Sequence, residues 1–133
     1  MDEPPALEGT TILIVEDDAD ARELLRFYLE PTRATVIEAS DGYEALQLVA
    51  SHRPDMILCD LGLPRLGGIS FMERLSRDAR LSRIPVVAIT GRGEPSDVAE
   101  AMATGFSGHM VKPITKSAIL SEVRRILWSY GNA

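Results

Sequence analysis

Glu16 and Asp17 follow directly on the apolar run 11–15, Asp60 on 56–59, Thr90 on 86–89 and Lys112 on 109–111. Three carboxylates, a hydroxyl and an ammonium can do chemistry together if the fold gathers the ends of those runs. Crowded acids repel one another and take up protons unless a positive charge sits among them. Oxygen-only donors select a hard cation such as Mg2+, with Mn2+ as the alternative, and Mg2+ takes one or two carboxylates, several waters and phosphate. On that chemistry the expected ligands are Asp17, Asp60 and a backbone carbonyl.

The elements that must position these residues alternate along the chain. Residues 11–15 form a short β-rich run with no polar face, which suits a strand buried on both sides of a parallel sheet. Ala21, Leu24, Leu25, Tyr28 and Leu29 then recur at helical spacing, with Asp20 and Glu23 placed like a capping box and Pro31 as the stop. Residues 34–39 make a weaker strand, interrupted by Thr35 and Glu38, and Asp41 with Glu44 opens a second helix. After the strand at 56–59, a loop with Pro64, Gly67 and Gly68 leads to a helix bearing Ile69, Met72 and Leu75. The fourth strand, 86–89, precedes a helix begun at Pro95 and closed by Gly105, and the fifth, 109–111, precedes the clearest helix, with Ile119, Val123 and Ile126 on one face. Five strands alternating with five helices through short connections imply a doubly wound α/β sandwich with right-handed crossovers. The expected strand order is the flavodoxin-like 2-1-3-4-5, with a crevice outside the carboxyl ends of strands one and three.

A chain of 133 residues fits one domain, read as residues 11–130 behind a loose arm at 1–10. Its composition, 45% hydrophobic and 26% charged with a net charge of -6, is that of an ordinary globular protein. The acidic balance and scattered basic residues argue against nucleic acid as a partner. The single cysteine, Cys59, forms no internal disulfide, and no apolar run reaches the roughly 20 residues that span a bilayer, so a cytoplasmic location without membrane contact is expected. Cys59 and Met102 read as core residues, and His52 as an exposed cation at a helix end.

The segments 12–18 (ILIVEDD), 60–64 (DLGLP), 88–91 (AITG) and 111–113 (VKP) resemble the signature of response-regulator receiver domains, the phospho-accepting domains of two-component signalling. The resemblance covers nearly the whole chain. It implies that Asp60 is the phosphorylated residue and that Glu16 and Asp17 form the acidic pair around Mg2+, Asp17 directly and Glu16 through metal-bound water. It further implies that Gly62 offers its main-chain carbonyl to the metal, that Lys112 pairs with the phosphoryl oxygens, that Thr90 donates its hydroxyl to them, and that the bond before Pro113 is cis. The implied donor is a phosphohistidine on a sensor histidine kinase or a histidine phosphotransfer protein. The implied output is a changed face on the fourth helix, fifth strand and fifth helix, which controls a downstream protein. Such a domain acts as a monomer or as a phosphorylation-dependent dimer, and catalyses only its own phosphorylation and dephosphorylation.

Two positions depart from the pattern. His109 stands where the resemblance places a Tyr or Phe switch, and is expected either to swing with Thr90 or to be a partly exposed surface residue. Gly62 replaces a larger side chain, which implies a phosphoryl group open to water and a short lifetime, with Arg92 offsetting this by crowding. A phosphohydrolase of the haloacid-dehalogenase type would need a second Asp where Gly62 stands, and a flavin or nucleotide binder would need a phosphate-cradling loop after the first strand. A receiver-like scaffold that takes no phosphate is disfavoured because every site position is filled. The chain reads as a stand-alone receiver or as one part of a larger regulator or hybrid kinase.

Overall fold

Thr11–Val15 (β1) buries its last four residues completely, and a strand with no solvent face must lie inside a layered sheet. In the computed structural model, which describes residues 7–91 and 95–131, four more strands join it. They are β2 (Thr35–Ala39), β3 (Met56–Asp60), β4 (Val86–Thr90) and β5 (Gly108–Val111), all parallel and in the order β2-β1-β3-β4-β5. Fold class and strand order are those expected. The helices are α1 (Ala19–Leu29), α2 (Gly42–His52), α3 (Gly68–Ser76), α4 (Pro95–Thr104) and α5 (Lys116–Gly131).

Successive side chains of a strand point to opposite faces, so each central strand feeds two cores. Leu13, Val15, Ile57, Cys59 and Ala88 pack with Phe71, Leu75 and Ala101, under α2, α3 and α4. Ile12, Ile14, Leu58 and Ile89 pack with Leu25, Leu29, Val123 and Ile126, under α1 and α5. All five residues of β3 are buried and it is the middle strand of the order, which makes it a constrained platform for a side chain.

Several boundaries differ from the sequence reading. Asp60 and Thr90 are the last residues of β3 and β4 rather than the first beyond them, with Asp60 in register with Ile89 and Thr90 with Val111. The α1 cap is Asp18, whose Oδ1 accepts from the Asp20 N–H at 3.2 Å. The Asp20–Glu23 box does not form, because the helix starts at Ala19 and the Asp18 side chain reaches the first free amide. The Asp41 cap of α2 does form, accepting from the Glu44 N–H at 2.9 Å. Met102 is exposed rather than core: Ala101, fully buried, takes the inward position of α4, and the next residue turns outward. Cys59 is buried as expected. Within the expected arm, residues 7–10 are tied to the body, since the Leu7 N–H donates to the Thr32 carbonyl at 2.6 Å and Leu7 packs on the second core. Arg92 lies outside the described residues. Among the described residues no helix is long and apolar enough to cross a membrane.

Candidate functional site

Parallel strands place all their carboxyl ends on one edge of the sheet, and the site is built there. The Glu16 N–H donates to the Ala39 carbonyl at 3.0 Å, so strand pairing carries this residue into the interior, where it is 1% exposed. Asp60, at the end of the central strand, is 6% exposed, and Asp17 is exposed at the rim. One oxygen from each of Glu16, Asp17 and Asp60 falls within 4.8 Å of the others. The Lys112 N–H donates to the Thr90 carbonyl at 2.8 Å, which anchors its backbone beside β4. From there its Nζ reaches Asp60 Oδ2 at 2.7 Å and Glu16 Oε1 at 3.0 Å. Asp60 Oδ1 accepts from the Gly62 N–H at 2.7 Å, and Glu16 Oε2 from the Asp18 N–H at 3.0 Å. Thr90 is buried and its Oγ1 has no hydrogen-bond partner among the described residues. These residues line a cavity of about 600 Å³ that also takes in Glu100 from α4.

The loop after Asp60 is held by two glycines. The Gly42 N–H, at the start of α2, donates to the Leu66 carbonyl at 3.2 Å, and a Cβ there would meet that oxygen at 2.6 Å. At the start of α3, a Cβ on Gly68 would stand 2.7 Å from the Asp60 carbonyl oxygen. An ion pair between Arg65 and the buried Asp41 fastens the same loop to the α2 cap. The peptide bond between Lys112 and Pro113 is cis. His109 sits on the exposed side of β5 and does not line the cavity.

A family profile described as the response regulator receiver domain matches residues 12–124. This chain belongs to that family. The receiver domain is 34% identical over 116 residues to the phosphate regulon transcriptional regulatory protein PhoB of Escherichia coli (strain K12), covering 87% of this chain and 51% of that protein. It therefore spans about half the length of the curated PhoB relatives it matches. Among solved structures, a putative response regulator from Chloroflexus aurantiacus J-10-fl superposes with a TM-score of 0.86 at 28% identity, over 90% of this chain and 98% of that one. The signal receiver domain of a signal transduction histidine kinase from Syntrophus aciditrophicus gives a TM-score of 0.83 at 31% identity, over 90% and 91%. The chain is thus a receiver domain of two-component signalling.

Electrostatics in the receiver domain show what the acidic cluster lacks. Burial pushes the Glu16 carboxyl above its ordinary value and the neighbouring Asp60 pushes the same way, while the Asp18 N–H and Lys112 offset only part. Burial acts to raise Asp60 too, but hydrogen bonds from Lys112 and the Gly62 N–H, with the Lys112 charge, outweigh it and hold this carboxyl below the usual range. Burial acts to lower Lys112, and its two carboxylate partners outweigh that and raise it. One ammonium serves two buried acids, and Glu16 is left under-compensated. The three carboxylates and the unpartnered Thr90 hydroxyl fit a hard cation together with an oxygen-rich anion. Burial and the two nearby carboxylates push the Cys59 thiol far up, so it is an inert core group.

Sequence reasoning singled out Glu16, Asp17, Asp60, Thr90 and Lys112 because each sits at a strand end, and the fold brings all five to one cavity. It missed Glu100 and Arg22, both of which reach the site from the body of a helix. Neither falls in a motif, and the local pattern marks them only as solvent-facing helix residues.

Proposed function

We propose that Asp60 accepts a phosphoryl group from a phosphohistidine of a sensor histidine kinase or histidine phosphotransfer protein, and that this changes the face formed by α4, β5 and α5 to control a downstream protein. The observation that carries this reading is the Lys112 ammonium bridging Asp60 and Glu16 on the wall of an open cavity, with Asp17 beside them. Phosphoryl transfer needs positioning and charge neutralisation more than covalent machinery, and this cluster offers both. An Asp60 oxygen attacks phosphorus, the P–N bond breaks, and the imidazole leaves and takes up a proton. Asp17, Asp60 and the Gly62 carbonyl would hold Mg2+, with Glu16 acting through a water. When bound there, Mg2+ supplies positive charge to the phosphoryl oxygens and to the crowded carboxylates.

Modification adds about 1.5 to 2 negative charges and new acceptor oxygens. Lys112 then exchanges its bond to Asp60 for one to the phosphoryl group, and the buried Thr90 hydroxyl gains the partner it lacks. Movement of Thr90 passes along the β4–β5 pairing to Val111 and His109, whose side chains already face outward on β5. His109 is read as moving with Thr90 and touching the partner. A cytoplasmic place of work goes with these partners.

Incubation with acetyl phosphate and Mg2+ followed by intact-mass measurement tests the reading. The wild type is expected to gain one phosphoryl group, and Asp60→Asn or added chelator to abolish the gain. Full incorporation into Asp60→Asn would overturn the assignment. The same assay reads the lifetime of the product. A Cβ at Gly62 would stand 3.5 Å from Asp60 Oδ1, an ordinary contact, so a side chain fits there and would screen the phosphoryl group from water. Gly62→Met is therefore expected to lengthen the lifetime about tenfold, equivalent to about 1.4 kcal/mol in the hydrolysis barrier. An unchanged decay rate would count against that role.

A further inference from the structure

The turn between β1 and α1, which carries Glu16 and Asp17, is gripped from behind. Arg22, in the first turns of α1, has a side chain only 21% exposed. Its Nη1 donates to the Glu16 carbonyl at 2.7 Å and to the Asp17 carbonyl at 3.3 Å. Its Nε lies 3.3 Å from Glu38 Oε1, on β2. The guanidinium is planar and rigid, so an anchor on one edge fixes where the other edge points. The two carbonyls it holds belong to the peptides that orient both acidic side chains. Neither peptide can rotate without breaking a charge-assisted bond.

We infer that Arg22 is a positioning residue for the acidic pair: anchored by Glu38, it presets the turn 16–18 so that Glu16 and Asp17 converge with Asp60 on a divalent cation. This rests on the reading of that cluster as a cation site. Simple charge argues for the opposite effect, because removing a nearby cation makes the cluster more negative and favours Mg2+. The sign of the change therefore separates positioning from charge. Arg26 supplies the control: it lies on the same helix and pairs with the same Glu38, but its other contact is the Val36 carbonyl, away from the turn.

The test is isothermal titration of the full chain with MgCl2, for the wild type, Arg22→Met, Arg22→Lys and Arg26→Met, together with amide hydrogen exchange at residues 17 and 18 in metal-free protein. Outer partners of metal ligands typically change affinity by about 10- to 100-fold. Arg22→Met is expected to weaken Mg2+ binding about tenfold and to speed exchange at both amides, with Arg22→Lys recovering part of each. Arg26→Met is expected to stay within about twofold of wild type on the same scale. Arg22→Gln carries the same expectation if Arg22→Met does not fold. Unchanged or tighter binding in the Arg22 variants, an equal loss in Arg26→Met, or unchanged exchange overturns the inference. A wild-type chain that takes up no Mg2+ overturns the cation reading itself, and this inference with it.

Discussion

Gly68→Ala is expected to lower the unfolding free energy by about 3 kcal/mol, the upper end of what an added methyl costs in a packed interior. The added Cβ would stand 2.7 Å from the Asp60 carbonyl oxygen, 2.8 Å from the Leu61 Cα and 3.1 Å from the Leu61 Cδ2. The first two neighbours are backbone and cannot rotate aside. Either α3 lifts off the end of β3, disturbing the packing of Phe71 and Leu75, or Asp60 itself shifts. For a domain of this size the thermal midpoint should fall by about 10 °C. The same variant should accept phosphoryl groups more slowly, since the clash falls on Asp60 itself. Gly67→Ser is the matched control: a Cβ there meets nothing closer than 3.8 Å, φ is -71°, and α3 has no side-chain cap for a serine to displace. Its stability should stay within about 0.5 kcal/mol of wild type. Urea denaturation of the pair decides the matter, and equal midpoints would refute the packing argument.

Lys112→Met is expected to cost about 2 kcal/mol at pH 7 in the absence of divalent cations. Removing one partner of a fully buried ion pair costs about 3 to 5 kcal/mol, and the 38% exposure of the Lys112 side chain reduces this through solvent screening. The deficit should depend on pH in a defined direction. In the wild type, Asp60 is held below its ordinary value, so its stabilisation is present above the unfolded value and is lost as pH falls through the lowered folded one. Without Lys112, burial dominates at both Asp60 and Glu16 and raises them. A raised carboxyl destabilises the folded state above its folded value, and that loss is relieved as pH falls towards the unfolded value of about 4. The gap between wild type and variant should thus narrow from pH 7 to pH 5. The ammonium's own contribution is lost only when pH rises through its raised value, which lies outside this window. Added Mg2+ should restore part of the lost stability by supplying the missing charge. A deficit that is independent of both pH and Mg2+ would show that packing, and not charge, was removed.

Much of this was legible in the residues because the central strands have no solvent face. β1, β3 and β4 read as unbroken apolar runs, and a parallel sheet then places Glu16, Asp60 and Thr90 on one edge without further information. β2 gave a faint signal because it is an edge strand, intermediate or exposed along most of its length. The Asp20–Glu23 box was misplaced because three acidic candidates, Asp17, Asp18 and Asp20, compete within four residues, and Asp18 takes the cap. Met102 was misread because the α4 pattern is short and only one of two adjacent apolar residues can face inward. Arg22, Glu100 and the Arg65–Asp41 pair were illegible for a common reason. Long side chains that cross from one element to another leave no periodic trace, and only the packed arrangement shows which carbonyl or carboxylate they meet.

Strands successive in the chain are joined through helices, and the acidic and basic members of the site lie far apart in the chain, from Glu16 to Lys112. Glu16 and Asp60 are both paired with an ammonium that comes 52 residues after Asp60 in the chain. The charge balance at this edge of the sheet is therefore completed by a residue just past β5, the last strand.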